Sequence, residues 1–163
     1  MLNYIEVEKA ALHDFLTDLP NRRYLHKVLH DMLANSVNKA AILFIDLDNF
    51  KQINDIFGHL SGDKVIKMIA SRLRVCIREN DFICRYGGDE FIIVLKNIQS
   101  AKEVNQIIHQ IKCTLKKPLK MGEKSLEITA SIGMSIHPDQ GKDEKTLIYI
   151  ADQEMYHKKR LKK

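Results

Sequence analysis

The sequence has no apolar run long enough to cross a bilayer. Its longest, Ala40 to Ile45, is closed by Asp46 and falls well short of the ~18 residues a spanning helix needs. The opening stretch from Met1 to Lys9 carries acids where a secretory leader carries bases, and it has no apolar centre. The three cysteines, Cys76, Cys84 and Cys113, are odd in number, far apart and set among apolar residues. Neither a disulfide framework nor a CxxC zinc site is expected, and reduced thiols point to the cytoplasm. Repeats, low-complexity stretches and linkers are missing, which excludes wholesale disorder and collagen-like architectures.

Spread basic charge is also missing. The net charge is +5, and the six residues from Lys158 to Lys163 contain five positive charges. The body is therefore neutral and the tip basic. A duplex-binding protein spreads its lysines and arginines over a face, so nucleic acid is not an expected partner, nor is a membrane. A solvated helix end, favoured by the macrodipole, accounts for such a tip as well.

What remains is a chain of 163 residues, 45% hydrophobic and 29% charged, enough for one compact domain with a real core. Residues 1–13 show helical spacing through Leu2, Ile5, Lys9 and Leu12, in a segment too short to be stable alone. It reads as a connector or docked helix. After a break at 14–23, a helix runs through Tyr24, Leu25, Val28, Leu29, Met32 and Leu33, and Asn35 to Asn38 form a loop. Ala40 to Leu47 suits a central strand buried on both faces. Phe50 to Phe57 reads as a helix stopping at Gly58-His59, and a second helix starts near Gly62-Asp63. Phe82 to Arg85 and Phe91 to Leu95 flank Tyr86-Gly87-Gly88-Asp89, a hairpin whose glycines would supply the positive φ of a tight turn. A helix through Val104 to Leu115, strands at 126–129 and 131–136, and a helix at 146–159 complete the order. The fold class is α+β, with helices packed on an antiparallel-rich sheet.

Asp46 and Asp48 close the first strand on the same side, since strand side chains alternate with period two. Asp89 and Glu90 lie at the hairpin. Carboxylates from two strand ends can share a hard divalent ion, with water and phosphate oxygens completing its shell; solvated loop acids are the plain alternative. Gly87 and Gly88 would let a phosphate or ribose lie against the backbone, although a bare turn also explains them. Asn54 and Asp63 match a guanine edge, the acid accepting from its adjacent donors; Asp63 could equally cap a helix beginning after Gly62. Lys51, Lys159 and Lys163 could neutralise a triphosphate. Arg78 and Asp81 could form a surface ion pair of little energetic worth or grip a second guanine nucleotide.

Together these residues resemble a known family. Phe44-Ile-Asp46-Leu-Asp48-Asn-Phe50-Lys51-Gln-Ile-Asn54-Asp55, then Gly58-His59, Gly62-Asp63 and Arg85-Tyr-Gly87-Gly88-Asp89-Glu90-Phe91, are similar to the GGDEF domains, whose members are diguanylate cyclases. The likeness extends to Leu16 through Arg22, Ser131-Ile-Gly133 and Ala151-Asp152 through Tyr156, so it covers 14–163 and leaves 1–13 as a connector stub. It implies a sheet related to nucleotidyl cyclase and polymerase palm domains (a ferredoxin-like core), and Mg²⁺ or Mn²⁺ held by Asp46, the Leu47 carbonyl and Asp89. Glu90 would be a second metal ligand or help deprotonate the attacking hydroxyl. Asn54 and Asp63 would read guanine. Lys51, Lys159, Lys163 and the Asn49 and Phe50 amides would serve the phosphates, and His59 would approach the nucleotide. Arg78 and Asp81 match the RxxD inhibitory site for the product.

The implied function is condensation of two GTP into cyclic di-GMP and two pyrophosphates across a homodimer, under an N-terminal sensor. A silent GTP or cyclic di-GMP receptor is the alternative. Two departures stand out. Asn49 replaces the family's frequent Phe or Arg. Lys163 replaces an arginine and lacks its bidentate fork, and the strand that usually follows is missing, which implies an unusual C-terminus.

Overall fold

The structure is a computed structural model that describes residues 3–35 and 38–162. Its elements in chain order are α1 (Tyr4–Leu12), α2 (Arg22–Asn35), β1 (Ala40–Leu47), α3 (Phe50–Phe57), α4 (His59–Arg74), β2 (Phe82–Arg85), β3 (Glu90–Leu95), α5 (Ala101–Leu115), β4 (Leu119–Met121), β5 (Lys124–Leu126), β6 (Ala130–His137) and α6 (Glu144–Leu161). The main sheet has the order β2-β3-β1-β6, and each neighbouring pair is antiparallel. The α+β class read from the sequence is the class observed.

The apolar run at 40–47 becomes an interior strand because it has something to bury on both faces. Ala41, Leu43, Ile45 and Leu47 point into one core with α4 and α5, meeting Ile66, Ile69, Leu73, Ile108 and Ile111. Ile42 and Phe44 point into the other, against Leu25 and Leu29 of α2 and Leu147, Ala151 and Met155 of α6. β3 alternates likewise, with Phe91, Ile93 and Leu95 on the first side and Ile92 and Val94 on the second. Period two then dictates that Asp46 and Glu90 emerge on the α2/α6 side.

β6 is an edge strand whose outer groups would invite another strand. Here α6 seals them. Glu154 accepts from the Met134 amide at 2.6 Å, Lys158 donates to the Ile132 carbonyl at 3.0 Å, and Lys162 donates to the Ala130 carbonyl at 2.9 Å. The approach is close because Gly133 has no side chain. A Cβ there would stand 2.0 Å from the Ala151 carbonyl oxygen.

Four local expectations are corrected. α4 starts at His59, after Gly58 at φ 83°, so Gly62 is buried inside the helix and Asp63 is not its cap. Only Leu126 of the expected strand at 126–129 is in a strand; β4 and β5 instead form a small ribbon around Gly122 at φ 64°. Neither Gly87 nor Gly88 has a positive φ. The helix expected over 1–13 runs from Tyr4 to Leu12 behind an Asn3/Glu6 capping box, with Leu2 outside the described residues. No helix among the described residues is long and apolar enough to cross a membrane.

Candidate active site

Strand register brings the acids together. Asp46 stands opposite Glu90 across β1 and β3, and the Leu47 amide donates to the Asp89 carbonyl at 3.1 Å. The two separated stretches therefore converge at one end of the sheet. The Tyr86 and Gly87 amides both donate to the Glu90 carbonyl, closing the turn. The glycines matter for space rather than for backbone angle. A Cβ at Gly87 would meet a Glu90 carboxylate oxygen at 2.8 Å, while one at Gly88 would meet nothing within 4 Å. Gly87 makes room for Glu90, and Gly88 leaves the turn open.

This convergence costs electrostatic energy. Burial pushes the Asp46 carboxyl up, the charges of Asp89 and Asp48 add to the rise, and the Lys159 ammonium only partly opposes it. Glu90 is also raised, by burial first and then by Asp46, Asp89 and Asp152. Lys159 donates to Asp46 at 2.6 Å. Burial acts to lower the pKa of Lys159, but the Asp46 bond and the charges of Asp46, Asp89 and Asp48 outweigh it and hold the group protonated.

Asp48 behaves in the opposite way. Burial acts to raise it, but bonds from Lys162 (2.7 Å), Thr129 (2.6 Å) and Ser131 (2.7 Å) prevail and lower it. Asp48, Asn49, Thr129, Lys159 and Lys162 line a cavity of about 220 Å³. The basic tip is therefore no solvated helix end over Lys158, Lys159 and Lys162. Lys163 lies outside the described residues. Sequence reasoning missed Lys162, although it sits one helical turn from Lys159; Thr129 and Ser131 carry no sequence signal that ties them to Asp48.

Asn49 adopts φ 56° at the start of α3 and makes no side-chain cap bond. Asn tolerates this left-handed conformation better than most residues. Phe50 opens the helix and packs against the α4-side core, and Lys51 follows it, exposed. A Cβ at Gly62 would lie 1.8 Å from Asn54 Oδ1, so the Asn54 amide rests on Gly62, one residue from the exposed Asp63. His59 is exposed at the first turn of α4.

Arg85 stands in the motif without a role read from the sequence. It donates to the Gly88 carbonyl from Nε at 3.2 Å and Nη2 at 2.8 Å, and pairs with Asp14 at 3.1 Å. Asp14 in turn accepts from the Thr17 amide and hydroxyl. The glycine turn is thus tied to the segment that follows α1.

Residues 11–163 match the family model described as "Diguanylate cyclase, GGDEF domain". The chain belongs to the GGDEF domain family. Among its relatives, the bifunctional diguanylate cyclase/cyclic di-GMP phosphodiesterase MucR of Pseudomonas aeruginosa is 35% identical over 157 residues, covering 94% of this chain and 23% of MucR. Diguanylate cyclase TpbB of Pseudomonas aeruginosa is 37% identical over 154 residues, 92% of this chain and 35% of TpbB. This chain thus spans about a quarter to a third of these relatives. The solved GGDEF domain of TpbB superposes with a TM-score of 0.88 at 35% identity, covering 91% of this chain and 89% of that one. The coiled coil and GGDEF domain of DgcB from Caulobacter crescentus, solved in complex with c-di-GMP, superposes at 0.87 with 27% identity, covering 96% and 84%.

GGDEF diguanylate cyclases are generally metal-dependent, and the donor set of this domain fits a hard divalent cation. Among the described residues no three His, Cys, Asp or Glu side chains already surround one point. Mg²⁺ does not need such a cage, because it is typically held by one or two carboxylates plus water and phosphate oxygens. Asp46 and Glu90 stand opposite each other across the strands, and both are raised by burial first and by neighbouring acids second.

Arg78 and Asp81 lie at the opposite end of β2 from the glycine turn. Asp81 is almost wholly buried, accepting from the Arg78 and Lys96 amides at 3.0 Å each. The half-exposed Arg78 pairs with Glu103 at 2.8 Å and approaches Asp81 at 3.4 Å. It borders a cavity of about 280 Å³ that Arg74, Ile77 and Phe82 also line.

Proposed function

We propose that this GGDEF domain condenses two GTP molecules into cyclic di-GMP, releasing two pyrophosphates, with one GTP held by each of two facing protomers. The observation that carries the reading is the Asp46/Glu90 pair, paired across β1 and β3 beside the open backbone of Gly88, with both carboxyls raised by burial first and neighbouring acids second, and with Lys159 and Lys162 alongside. Acids and lysines stand side by side at this end of the sheet, an arrangement that suits a cation carrying an anionic substrate.

In this mechanism Asp46, the Leu47 carbonyl, Asp89 and Glu90 would hold Mg²⁺ or Mn²⁺, which would supply neutralisation of phosphate charge and acidification of the attacking 3′-hydroxyl. Asp63 accepts from the guanine donors and Asn54 from or to its remaining edge. Lys159 and Lys162 exchange their present carboxylate partners for phosphate oxygens. Lys51 and the Asn49 and Phe50 amides add donors at the start of α3, where the helix dipole favours anions, Lys163 is a further phosphate partner, and His59 approaches the nucleotide. Glu90 takes the proton of the hydroxyl, whose oxygen attacks the partner nucleotide's α-phosphorus while pyrophosphate leaves. Positioning supplies most of the rate.

α1 serves as the connector stub to a sensor in a longer parent, and Arg78 forms the product-inhibition site. With both Asp81 oxygens engaged, Asp81 fixes the turn while Arg78 and Arg74 face the ligand.

The test is incubation with GTP and Mg²⁺ over a range of protein concentrations. Cyclic dinucleotide formation should rise faster than linearly with protein, and Asp89→Ala should abolish it; no product at any concentration removes the enzyme reading. A second reading, a silent receptor, has one observation in its favour: Lys159 and Lys162 already neutralise Asp46 and Asp48 without a cation. Calorimetric binding of GTP or cyclic di-GMP without turnover would select it.

A further inference from the structure

The outer face of α5 carries two soft ligands that the nucleotide reading leaves unused. His109 and Cys113 are four residues apart, so they share one helix face, and both are exposed. His109 Nε2 and Cys113 Sγ are 3.5 Å apart. A tetrahedral Zn²⁺, with Zn–S of about 2.3 Å and Zn–N of about 2.0–2.1 Å, holds such donors about 3.6 Å apart. The pair therefore already has the donor separation of a zinc chelate, and exposed side chains are free to turn their donor atoms toward a shared ion.

The other thiols do not compete. Cys84 is buried, and burial pushes its thiol up to about 12. Cys76 is buried and donates to the Arg72 carbonyl. The Asp46/Glu90 site offers hard oxygen donors, suited to Mg²⁺ or Mn²⁺ rather than to a thiolate-seeking metal. The two sites differ in place and in chemistry.

We propose that His109 and Cys113 form a two-donor site for a borderline-soft divalent cation of the Zn²⁺ type, one ion per chain, with water in the remaining positions. The thiol proton leaves to solvent as the sulfur binds, and neutral Nε2 gives its lone pair.

Co²⁺ serves as the spectroscopic probe, added to the whole chain in excess Mg²⁺ so that the oxygen site is filled. A thiolate-to-cobalt charge-transfer band should grow to one Co²⁺ per chain and be bleached by Zn²⁺. Cys113→Ser should lose the band, and His109→Ala should weaken binding at least tenfold. Zn²⁺ should also slow alkylation of Cys113 in the unaltered chain and not in His109→Ala. Both substitutions lie on an exposed face, so circular dichroism should show the fold retained. No band below millimolar Co²⁺, a band that survives Cys113→Ser, or equal affinity in His109→Ala would each overturn the proposal and leave an ordinary S–H···N contact.

Discussion

An alanine at position 62 should separate stability from nucleotide recognition. The new methyl would stand 1.8 Å from Asn54 Oδ1, 2.9 Å from its Cγ and 3.3 Å from Phe50 Cζ. The first two atoms belong to the end of a side chain that can rotate, so the amide must swing away by more than an ångström. Forcing it off its rotamer costs about 0.5–1.5 kcal/mol. Replacing a glycine inside a helix returns about 1 kcal/mol. The two nearly cancel, and Gly62→Ala should move the melting temperature by no more than about 4 °C in either direction. Recognition does not share in the cancellation. If Asn54 bonds the guanine edge, losing that bond costs about 0.5–1.5 kcal/mol, so GTP affinity should fall roughly two- to thirteenfold. Titration calorimetry with GTP and Mg²⁺, beside scanning calorimetry of the same samples, reads both quantities, and Asn54→Ala gives the reference loss. Unchanged GTP affinity in a folded Gly62→Ala protein would take Asn54 out of base recognition. Wholesale unfolding would refute the argument that the amide gives way.

Three further outcomes follow from the same geometry. Glu90→Gln should raise the melting temperature of the metal-free protein at pH 7 while ending turnover. Glu90 is raised in the fold, so its ionisation opposes folding increasingly as pH rises from the ordinary carboxylate range through the raised value. The gain should vanish below that range, and a gain independent of pH would contradict the assignment. Asp48→Asn should cost about 2 kcal/mol at neutral pH through its bonds to Lys162, Thr129 and Ser131. Asp48 is lowered in the fold, so its contribution is present above the ordinary carboxylate range and is lost as pH falls; urea unfolding at pH 7 and pH 3 should show the difference shrinking. Arg72→Ala removes donors to the Leu115 carbonyl at the end of α5 and to the Lys117 and Pro118 carbonyls beyond it and should lower stability by about 2 kcal/mol. An unaltered urea midpoint would show that water replaces the guanidinium without loss.

Much of this site was legible because strand chemistry is local. An apolar run ended by acids, and a glycine pair followed by acids, each name their own residues. Asp46 and Glu90 needed only the inference that their strands pair. Residues that act by meeting distant chain were not legible: Thr129 and Ser131 reach Asp48 across 81 and 83 positions, and Asp14 reaches Arg85 across 71. The start of α4 was misplaced because glycine at 62 reads as a helix boundary, whereas its role is to accommodate the Asn54 amide.

The sequence alone determined the alternation of elements, the two-faced interior strand and the chemistry of the acids, since periodicity and side-chain type are properties of short segments. It also carried the family likeness. Tertiary structure decided where charge is neutralised. The basic tip is indistinguishable in sequence from a solvated helix end. It becomes part of the site only because Gly133 lets α6 lie against the edge of β6, which carries Lys159 and Lys162 to Asp46 and Asp48. Coulomb interactions depend on distance through space, and that distance is set by packing rather than by position along the chain.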